Sequence, residues 1–470
     1  MFGRIHIAYS WVKIYTWLLA VCAFLGNDFL KFSLGGLPFN PYRALGLAAP
    51  AVLLLAPPAF WRTLWRGGAR YYALFVGLLC GYALLSGLWA PDAVAWRSHT
   101  LFLLYGGMTT CLISGCLDSR EAVTRALRLF VLCAVAVAVG ALVEILSGHY
   151  GFNALYAGDY LWAACKSFMG LPLPVFAMGN VNDFGAYLFF ALAAVSWLAV
   201  EGGRGLRCGL SGGLRSGGLG GSRIGWLYAA VGALFLFLIL CTQSRSVFLA
   251  LILAGAAGFG CFILQRPPHW KWWLGLACGV FVLAVAGFVL FWMHDAPGDV
   301  EAHSDAVRLG VVRNAWLFFK PVWYRGLGWG GVDHYNLQYP LLAVGDVPHL
   351  HNWFLELGFS CGLFVLLYYM WVYVRTWWEN LRRVVKAGRL PVTGDPQGGR
   401  FSGRPDVWQA AVVVATLSGF LAISIASSSF VPAQWFWAVG ALGFGAAGLS
   451  PAGGGAAENR TEFKARKKRS

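Results

Sequence analysis

The feature that most constrains this chain is a succession of long apolar runs. Hydrophobic residues make up 59% of its 470 residues and charged residues 12%, whereas a soluble domain contains about 25% charged residues. A helix needs about 20 apolar residues to cross a bilayer. Runs of that order lie near residues 11–30, 43–61, 71–90, 99–116, 126–146, 174–200, 225–243, 246–264, 272–293, 352–374, 409–428 and 433–450. They predict an all-α integral membrane protein with about 12 transmembrane helices.

Two places in this pattern are weakly defined. Prolines at positions 50, 57 and 58 interrupt the second run, and proline removes a backbone donor and breaks helices. Only a short polar segment, CTQSRS at 241–246, separates the seventh run from the eighth. Its arginine, Arg245, would be costly in the middle of a bilayer. We therefore expect a break between two helices at this segment.

The basic residues predict the orientation of the chain in the membrane. Twelve spans place both termini on one side, and the basic tail KARKKRS (464–470) favours the cytoplasm. In that orientation 27 of the 36 lysines and arginines lie on the cytoplasmic side. The remaining nine are Lys31, Arg43, Arg97, Lys166, Arg245, Arg308, Arg313, Lys320 and Arg325. The protein is therefore predicted to lie in a bacterial inner membrane with both termini cytoplasmic and its chemistry on the periplasmic side.

The net charge of +16 does not indicate a nucleic-acid partner. The basic residues occupy the gaps between apolar runs and form no recognition motif. The eleven cysteines include no CxxC pair, so the sequence indicates neither a disulfide framework nor a structural metal. We expect no cofactor, and the first apolar run is interpreted as a retained helix.

The predicted spans and loops divide the chain into four parts. Residues 1–174 and 376–450 are predicted to be N-terminal and C-terminal transmembrane helices, and 451–470 a basic cytoplasmic tail. The central part, 175–375, contains a long outer loop at 294–351 that is rich in aromatic residues and is expected to fold. A second outer loop covers 147–173. The cytoplasmic loops 201–224 and 387–405 are rich in Gly, Ser and Arg and are expected to be flexible.

Three arginines on the outer side are candidate ligands for an anion. Arg245 is flanked by hydroxyl side chains and precedes a helix, whose first backbone amides favour negative charge; alternatively it is an arginine that reaches the membrane interface. Arg308 and Arg313 are five residues apart, so they would not share a helix face closely, and a solvated face is the alternative. The following turn, GLGWGG (326–331), lacks the GKS/T of a phosphate-binding loop. Its glycines permit a tight turn or a close backbone approach.

Polar residues next to two other apolar runs complete the candidate site. His351 and Asn352 open the run HNWFLELGFSCGLF, where a neutral histidine could accept a proton from a hydroxyl. His349 raises the alternative of an H-x-H metal site, but no third ligand has suitable spacing. Asn180 and Asn182, in GNVND, are interpreted as helix caps or as ligands for sugar hydroxyls.

In their order along the chain these segments resemble the O-antigen ligase and polymerase superfamily. The resemblance is carried by GNVN (179–182), TQSR (242–245), the stretch from Arg308 to GLGWG (308–330) and HN-x-x-LE-x-G-x-x-x-GL (351–363). It covers about residues 175–375, while the first half of the chain matches only in hydropathy. Ser246 departs from the glycine that is frequent at its position.

The resemblance implies a GT-C-like, metal-independent inverting glycosyltransferase. Its donor would be a glycan on undecaprenyl pyrophosphate, and its acceptor a hydroxyl of lipid A–core. It further implies that Arg245 and Arg308, with Arg313 more weakly, bind the pyrophosphate, and that His351 is the general base. A polymerase, which joins lipid-linked repeats, and a protein O-oligosaccharyltransferase are alternatives. A transporter is the alternative from another class, but the sequence has no paired broken helices in corresponding halves.

Overall fold

The structure of the protein is a computed structural model. It describes residues 2–34, 37–148, 170–178, 180–210, 220–265, 271–272, 275–276, 279, 300–341, 349–389, 405–424 and 430–448. Most of the predicted ninth span (272–293), most of the outer loop 147–173, most of the loop 387–405 and the tail 451–470 lie outside these residues, as does part of the loop 201–224.

The N-terminal half consists of helices and one short β-hairpin. In chain order the elements are α1 (Phe2–Phe24), β1 (Phe32–Leu34), β2 (Leu37–Phe39), α2 (Pro41–Gly46), α3 (Ala49–Leu54), α4 (Pro58–Arg66), α5 (Arg70–Ser86), α6 (Ala93–Cys116) and α7 (Arg120–Ser147). The two strands pair antiparallel, with Phe32 opposite Phe39. Helix α7 begins with a capping serine, Ser119, whose hydroxyl accepts from the amide of Ala122.

The C-terminal half contributes nine further helices among the described residues. They are α8 (Val181–Leu210), α9 (Gly220–Thr242), α10 (Arg245–Leu264), α11 (Val300–Phe319), α12 (Gly331–Gln338), α13 (Trp353–Cys361), α14 (Leu363–Arg389), α15 (Pro405–Ile423) and α16 (Gln434–Ala447). Short 3₁₀ turns occupy Phe176–Met178 and Lys320–Val322. The seventh and eighth apolar runs are two separate helices, α9 and α10, as expected.

Five described helices are long and apolar enough to span a membrane. They cover Arg120–Ser147, Val181–Gly202, Gly225–Thr242, Arg245–Leu264 and Asp406–Ile423. A sixth span would result if α4 and α5, which meet at 101°, cross together. The protein is thus a largely helical, multi-pass membrane protein, and the number of twelve spans stays a prediction.

Two predicted spans are wrong as continuous helices. The run 43–61 is divided into α2, α3 and α4, because proline is tolerated only at helix starts: Pro50 lies in the first turn of α3, Pro57 precedes α4 and Pro58 begins it. The run 352–374 is divided between α13 and α14 at Gly362, whose φ of +80° ends the first helix. The amide of Leu363 then donates to the carbonyl of Trp323 at 3.0 Å, so the outer loop occupies the break.

The core is organised around α16, which contacts α1, α5, α6, α7, α8, α14 and α15. Trp435 and Trp437 of this helix are almost fully buried. A separate apolar cluster lies under the outer loop and contains Val307, Val311, Ala315, Phe319, Leu327, Val332, Leu350 and Phe359. The described part of the loop therefore folds around a small core of its own, as its composition predicts.

One end of the helix bundle is closed by an ionic network. Arg120 pairs with Glu201 at 2.9 Å and with Asp406, and Gln409 donates to Glu201 at 2.6 Å. Glu201 lies 21 residues beyond Asn180 along α8, a distance of about 30 Å at 1.5 Å per residue. That separation equals the thickness of a bilayer hydrocarbon core. The polar residues of the candidate site lie at the opposite end, called the site end below.

Candidate active site

The TQSRS turn forms the joint between α9 and α10. Thr242 Oγ1 donates to the carbonyl of Ile239 at 2.7 Å and accepts from the amide of Ser244 at 3.3 Å. Gln243 has a φ of +53°, which reverses the chain direction locally. Arg245 then becomes the first residue of α10 and is partly buried. Its guanidinium thus starts from a helix N-terminus, where backbone amides favour an anion.

The start of α8 lies against this turn. A Cβ added to Gly185 would lie 3.3 Å from Thr242 Oγ1 and 3.0 Å from a methyl group of Val247. Asn180 caps the helix. Its side-chain Oδ1 accepts a hydrogen bond from the amide of Asn182 at 2.7 Å, and its backbone carbonyl accepts one from the amide of Phe184. The cap interpretation is confirmed for Asn180, and the structure brings the Asn180–Asn182 segment next to TQSRS.

The HN segment reaches the same end through α15. A Cβ added to Gly419 would lie 2.7 Å from the carbonyl oxygen of Ala250, and a Cβ added to Gly258 would lie 3.6 Å from Ala415. Helices α10 and α15 are therefore antiparallel, because the later residue of α10 lies beside the earlier residue of α15. The end of α15 is therefore level with the start of α10, where Arg245 lies. The amide of Trp353 donates to the carbonyl of Ser424, just after α15, at 2.8 Å. Arg245 and His351 are thus placed at one end of the bundle.

Asn352 and His351 have different roles in the backbone. Asn352 is the N-cap of α13, and its Oδ1 accepts from the amide of Leu355 at 3.1 Å. His351 has a φ of +48°, which is uncommon outside glycine, although histidine adopts it more often than most residues. Its partly buried ring follows Leu350, which packs into the loop cluster with Val307. Since Arg308 follows Val307, the cluster links the segments that carry Arg308 and His351.

Arg308 and Arg313 lie on different faces of α11, as their spacing indicates. Five residues correspond to about 140° around a helix. Arg308 is partly buried at the edge of the packed face, whereas Arg313 is exposed. The packed face is fixed by the fully buried Asn314, which donates to Asn336 Oδ1 at 2.9 Å and accepts from the amide of Leu341 at 2.9 Å. Arg313 therefore does not share the environment of Arg308.

The GLGWGG turn makes close backbone contacts within the protein. The amides of Leu327 and Gly328 donate to the carbonyls of Phe359 and Ser360 at 2.7 and 3.0 Å. Gly326, Gly328 and Gly330 all have positive φ. A Cβ on Gly330 would lie 2.7 Å from Ala95 in α6. The glycines thus dock the loop onto α6 and onto the break between α13 and α14.

Replacing Gly326 with alanine is expected to undo this docking. Its added Cβ would lie 2.5 Å from the Gly362 amide and 2.6 Å from the Ser360 carbonyl. Gly148 is a matched control, because it has the same φ of +67° but no atom of the described residues within 4 Å of its added Cβ. Positive φ alone costs on the order of 1 kcal/mol, and overpacking adds about 1–3 kcal/mol. We expect Gly326→Ala to lower the thermal unfolding midpoint in detergent more than Gly148→Ala; equal shifts would contradict the clash.

Sequence reasoning missed a carboxylate that joins two histidines. Asp333 Oδ1 accepts from Nδ1 of His349 at 3.1 Å, and Oδ2 lies 3.4 Å from Nε2 of His99 in α6. Burial lowers the pKa of His349, but the hydrogen bond and charge of Asp333, with a contribution from Glu356, outweigh it and raise that pKa above its ordinary value. The contact therefore stabilises the fold most at acidic pH, and this contribution is lost as pH rises through the raised pKa.

A second missed residue is Glu144 of α7, which is 3% exposed. Its carboxylate accepts from the amides of Phe176 at 2.7 Å and Val175 at 3.4 Å. These bonds hold the segment that leads into the Asn180 cap. No local pattern could have revealed the contact, because an isolated glutamate in an apolar run indicates only that some partner exists. Among the described residues, no group of three or more His, Cys, Asp or Glu side chains is arranged to hold a metal ion.

Comparison with known proteins shows what this chain is similar to. Residues 217–370 match the model of the O-antigen ligase family. The match to the O-antigen ligase domain covers about a third of the chain. It includes Arg245, Arg308, Arg313, His351 and Asn352, while Asn180 and Asn182 lie outside it. The resemblance to the O-antigen ligase superfamily is therefore confirmed.

A curated relative extends the similarity beyond the O-antigen ligase domain. The chain is 25% identical over 380 residues to the teichuronic acid biosynthesis protein TuaE of Bacillus subtilis (strain 168). The alignment covers 77% of this chain and 72% of that protein. Since 380 residues exceed the length of the domain, the similarity includes transmembrane regions outside it.

Proposed function

We propose that this protein is a membrane glycosyltransferase that transfers a glycan from undecaprenyl pyrophosphate to an acceptor hydroxyl. The proposed site is on the periplasmic face of a bacterial inner membrane, and the proposed acceptor is lipid A–core. The observation that supports this best is the position of Arg245 and His351 at one end of the bundle, both within the O-antigen ligase domain. A cation and a candidate base at one end are what transfer from a pyrophosphate carrier requires.

Arg245 is the proposed primary ligand of the pyrophosphate. A guanidinium pairs with two phosphate oxygens through parallel hydrogen bonds. The N-terminus of α10 adds backbone amides to the same place. Thr242, Ser244 and Ser246 supply hydroxyl groups in this turn, with the Oγ atoms of the two serines 3.1 Å apart. Positive charge here would stabilise the leaving group as the glycosidic bond breaks.

Arg308 is the proposed second cation, and Arg313 a weaker third. The packed face of α11 holds Arg308 close to the cluster that also contains Leu350, so its side chain starts near the HN segment. Arg313 points away from that cluster and is exposed. Two arginines can neutralise a pyrophosphate without a metal, and the proposal includes no cofactor.

His351 is the proposed general base. It would take the proton from the acceptor hydroxyl while that oxygen attacks the anomeric carbon. The bond from this carbon to the pyrophosphate oxygen breaks as the new glycosidic bond forms, and the electron pair leaves with the pyrophosphate. Attack from the side opposite the leaving group inverts the anomeric centre. Asn180, Asn182 and Asn352 form helix ends around this site, and the side chains of Asn180 and Asn352 serve as caps; a contact of any of the three with sugar hydroxyls is a further part of the proposal.

The curated relative favours a second candidate function. Its name assigns TuaE to the biosynthesis of teichuronic acid and does not mention O-antigen. The same site chemistry could serve a polymerase, in which the acceptor hydroxyl belongs to another lipid-linked repeat unit. Transfer to a serine or threonine of a protein would also need only a change of acceptor.

Deletion of the gene followed by electrophoresis of lipopolysaccharide tests the proposal. If the protein is the ligase, the deletion strain carries lipid A–core without O-antigen and accumulates polymer on the lipid carrier. A single repeat unit on the core would instead identify a polymerase. Unchanged lipopolysaccharide and unchanged lipid-linked intermediates would contradict transfer to lipopolysaccharide.

A further inference from the structure

Helix α11 has a second apolar face that no described part of the protein covers. Its packed face is formed by Val307, Val311, Ala315 and Phe319. On the opposite side Leu309, Trp316 and Leu317 are each about half exposed, at 49%, 51% and 52%. Exposed large apolar groups of this kind mark a surface that has a partner.

Between Val307 and Lys320 the exposed side carries only positive charge. Arg313 of α11 lies at helical spacing from Leu309, Trp316 and Leu317, and Lys320, in the 3₁₀ turn that follows the helix, is also exposed. From Val307 to Lys320 the sequence contains no acidic residue. A helix side with Trp and Leu between basic residues has the composition of helices that lie in the headgroup region of a bilayer.

The exposed face continues into a stripe of α14. Beyond α11, Trp323 and Tyr324 are 47% and 50% exposed, and the ring of Trp323 lies 6.3 Å from that of Phe364. Phe364 begins a row of exposed apolar side chains on α14 that also includes Leu367, Trp371 and Val374. Their spacing of three and four residues places them on one side of this helix. The face of α11 is therefore continuous with a surface suited to lipid.

We propose that the exposed face of α11, with Trp323 and Tyr324, lies in the headgroup region of the bilayer and binds anionic phospholipid. Trp316, Leu317, Trp323 and Tyr324 insert at the level of the glycerol backbone, where aromatic rings are favoured. Arg313 and Lys320 pair with lipid phosphates. This contact holds the loop at a fixed depth. Because it engages Arg313 at the membrane surface, Arg313 is only the weaker, third candidate ligand of the pyrophosphate.

A depth measurement in lipid nanodiscs tests the proposal. A fluorophore on Leu317→Cys is compared with one on Glu121→Cys, whose native side chain is 80% exposed in the first turn of α7. The wild-type chain, labelled in parallel, gives the background from its own cysteines. We expect quenchers carried on lipid chains to reduce emission at position 317, and iodide in water to reduce emission at position 121.

The charges are tested with Arg313→Glu combined with Lys320→Glu. Each basic residue near an anionic surface strengthens association by a factor of about five. In discs containing phosphatidylglycerol we expect the two substitutions to make the label at position 317 accessible to iodide. In discs of neutral lipid we expect iodide quenching at position 317 to be the same with and without the two substitutions. Iodide quenching at position 317 equal to that at position 121 would overturn the proposal. Shielding from both quenchers would overturn it as well, because a protein surface would then cover the face.

Discussion

Arg245→Ala is expected to reduce glycan transfer by about 10²–10³-fold, the usual effect of removing one group that stabilises a developing negative charge. The variant should still insert and fold, because Thr242 holds the turn before α10 and the Ser244 carbonyl accepts from the amides of Val247 and Phe248. The side chain of Arg245 takes no part in these bonds. Arg245→Lys should recover only part of the activity, since an ammonium group cannot form two parallel bonds to a phosphate. Transfer is measured with purified enzyme, lipid-linked donor and acceptor in nanodiscs.

Arg125→Ala is the matched control for this experiment. Arg125 lies in α7 at the end with the Arg120 network, and its side chain is 64% exposed. Loss of a solvated arginine there should leave transfer unchanged. If Arg245→Ala and Arg245→Lys both keep wild-type turnover, the pyrophosphate role of Arg245 is wrong. A loss of donor binding together with turnover would support it directly.

His351→Ala is expected to lower turnover by about 10²–10⁴-fold, the contribution of a general base, with donor binding largely kept. His349→Ala should have a milder effect. The Nδ1 of His349 is engaged by Asp333, so its removal loosens the turn before α13 without removing the proposed proton acceptor. Donor binding and turnover are measured separately for both variants.

Ser119→Ala serves as the structural control for the histidine pair. It removes the cap of α7, which lies away from the site end, and this costs about 1 kcal/mol of stability. If His351→Ala acted only through the fold, it would resemble Ser119→Ala in both unfolding midpoint and turnover. If His349→Ala is inactive and His351→Ala is active, His349 is the base. If both keep their activity, base catalysis by histidine fails, and the arginines would have to act without it.

Local patterns in the sequence were sufficient for much of the fold. Hydropathy over about 20 residues located α7, α8, α9, α10 and α15, because a helix in lipid must satisfy its backbone internally and present apolar side chains. The cap at Asn180 was also predictable, since an Asx side chain bonds to amides only two or three residues away; the cap at Asn352 was not predicted. The family motifs and the polar segments that contain Arg245 and His351 are likewise contiguous stretches.

Only the tertiary structure decided how these segments meet. The run 352–374 is apolar enough for one helix, yet it is broken at Gly362 because the backbone at Tyr324 approaches it too closely for a Cβ, with 2.5 Å to the Tyr324 carbonyl oxygen. Asp333 joins His99 to His349, and Glu144 holds Phe176. Each contact connects residues far apart in the chain, so no spacing or composition encodes it. The two faces of α11 were not distinguishable either: both are apolar, and only packing shows that Val311 is buried while Leu317 is exposed.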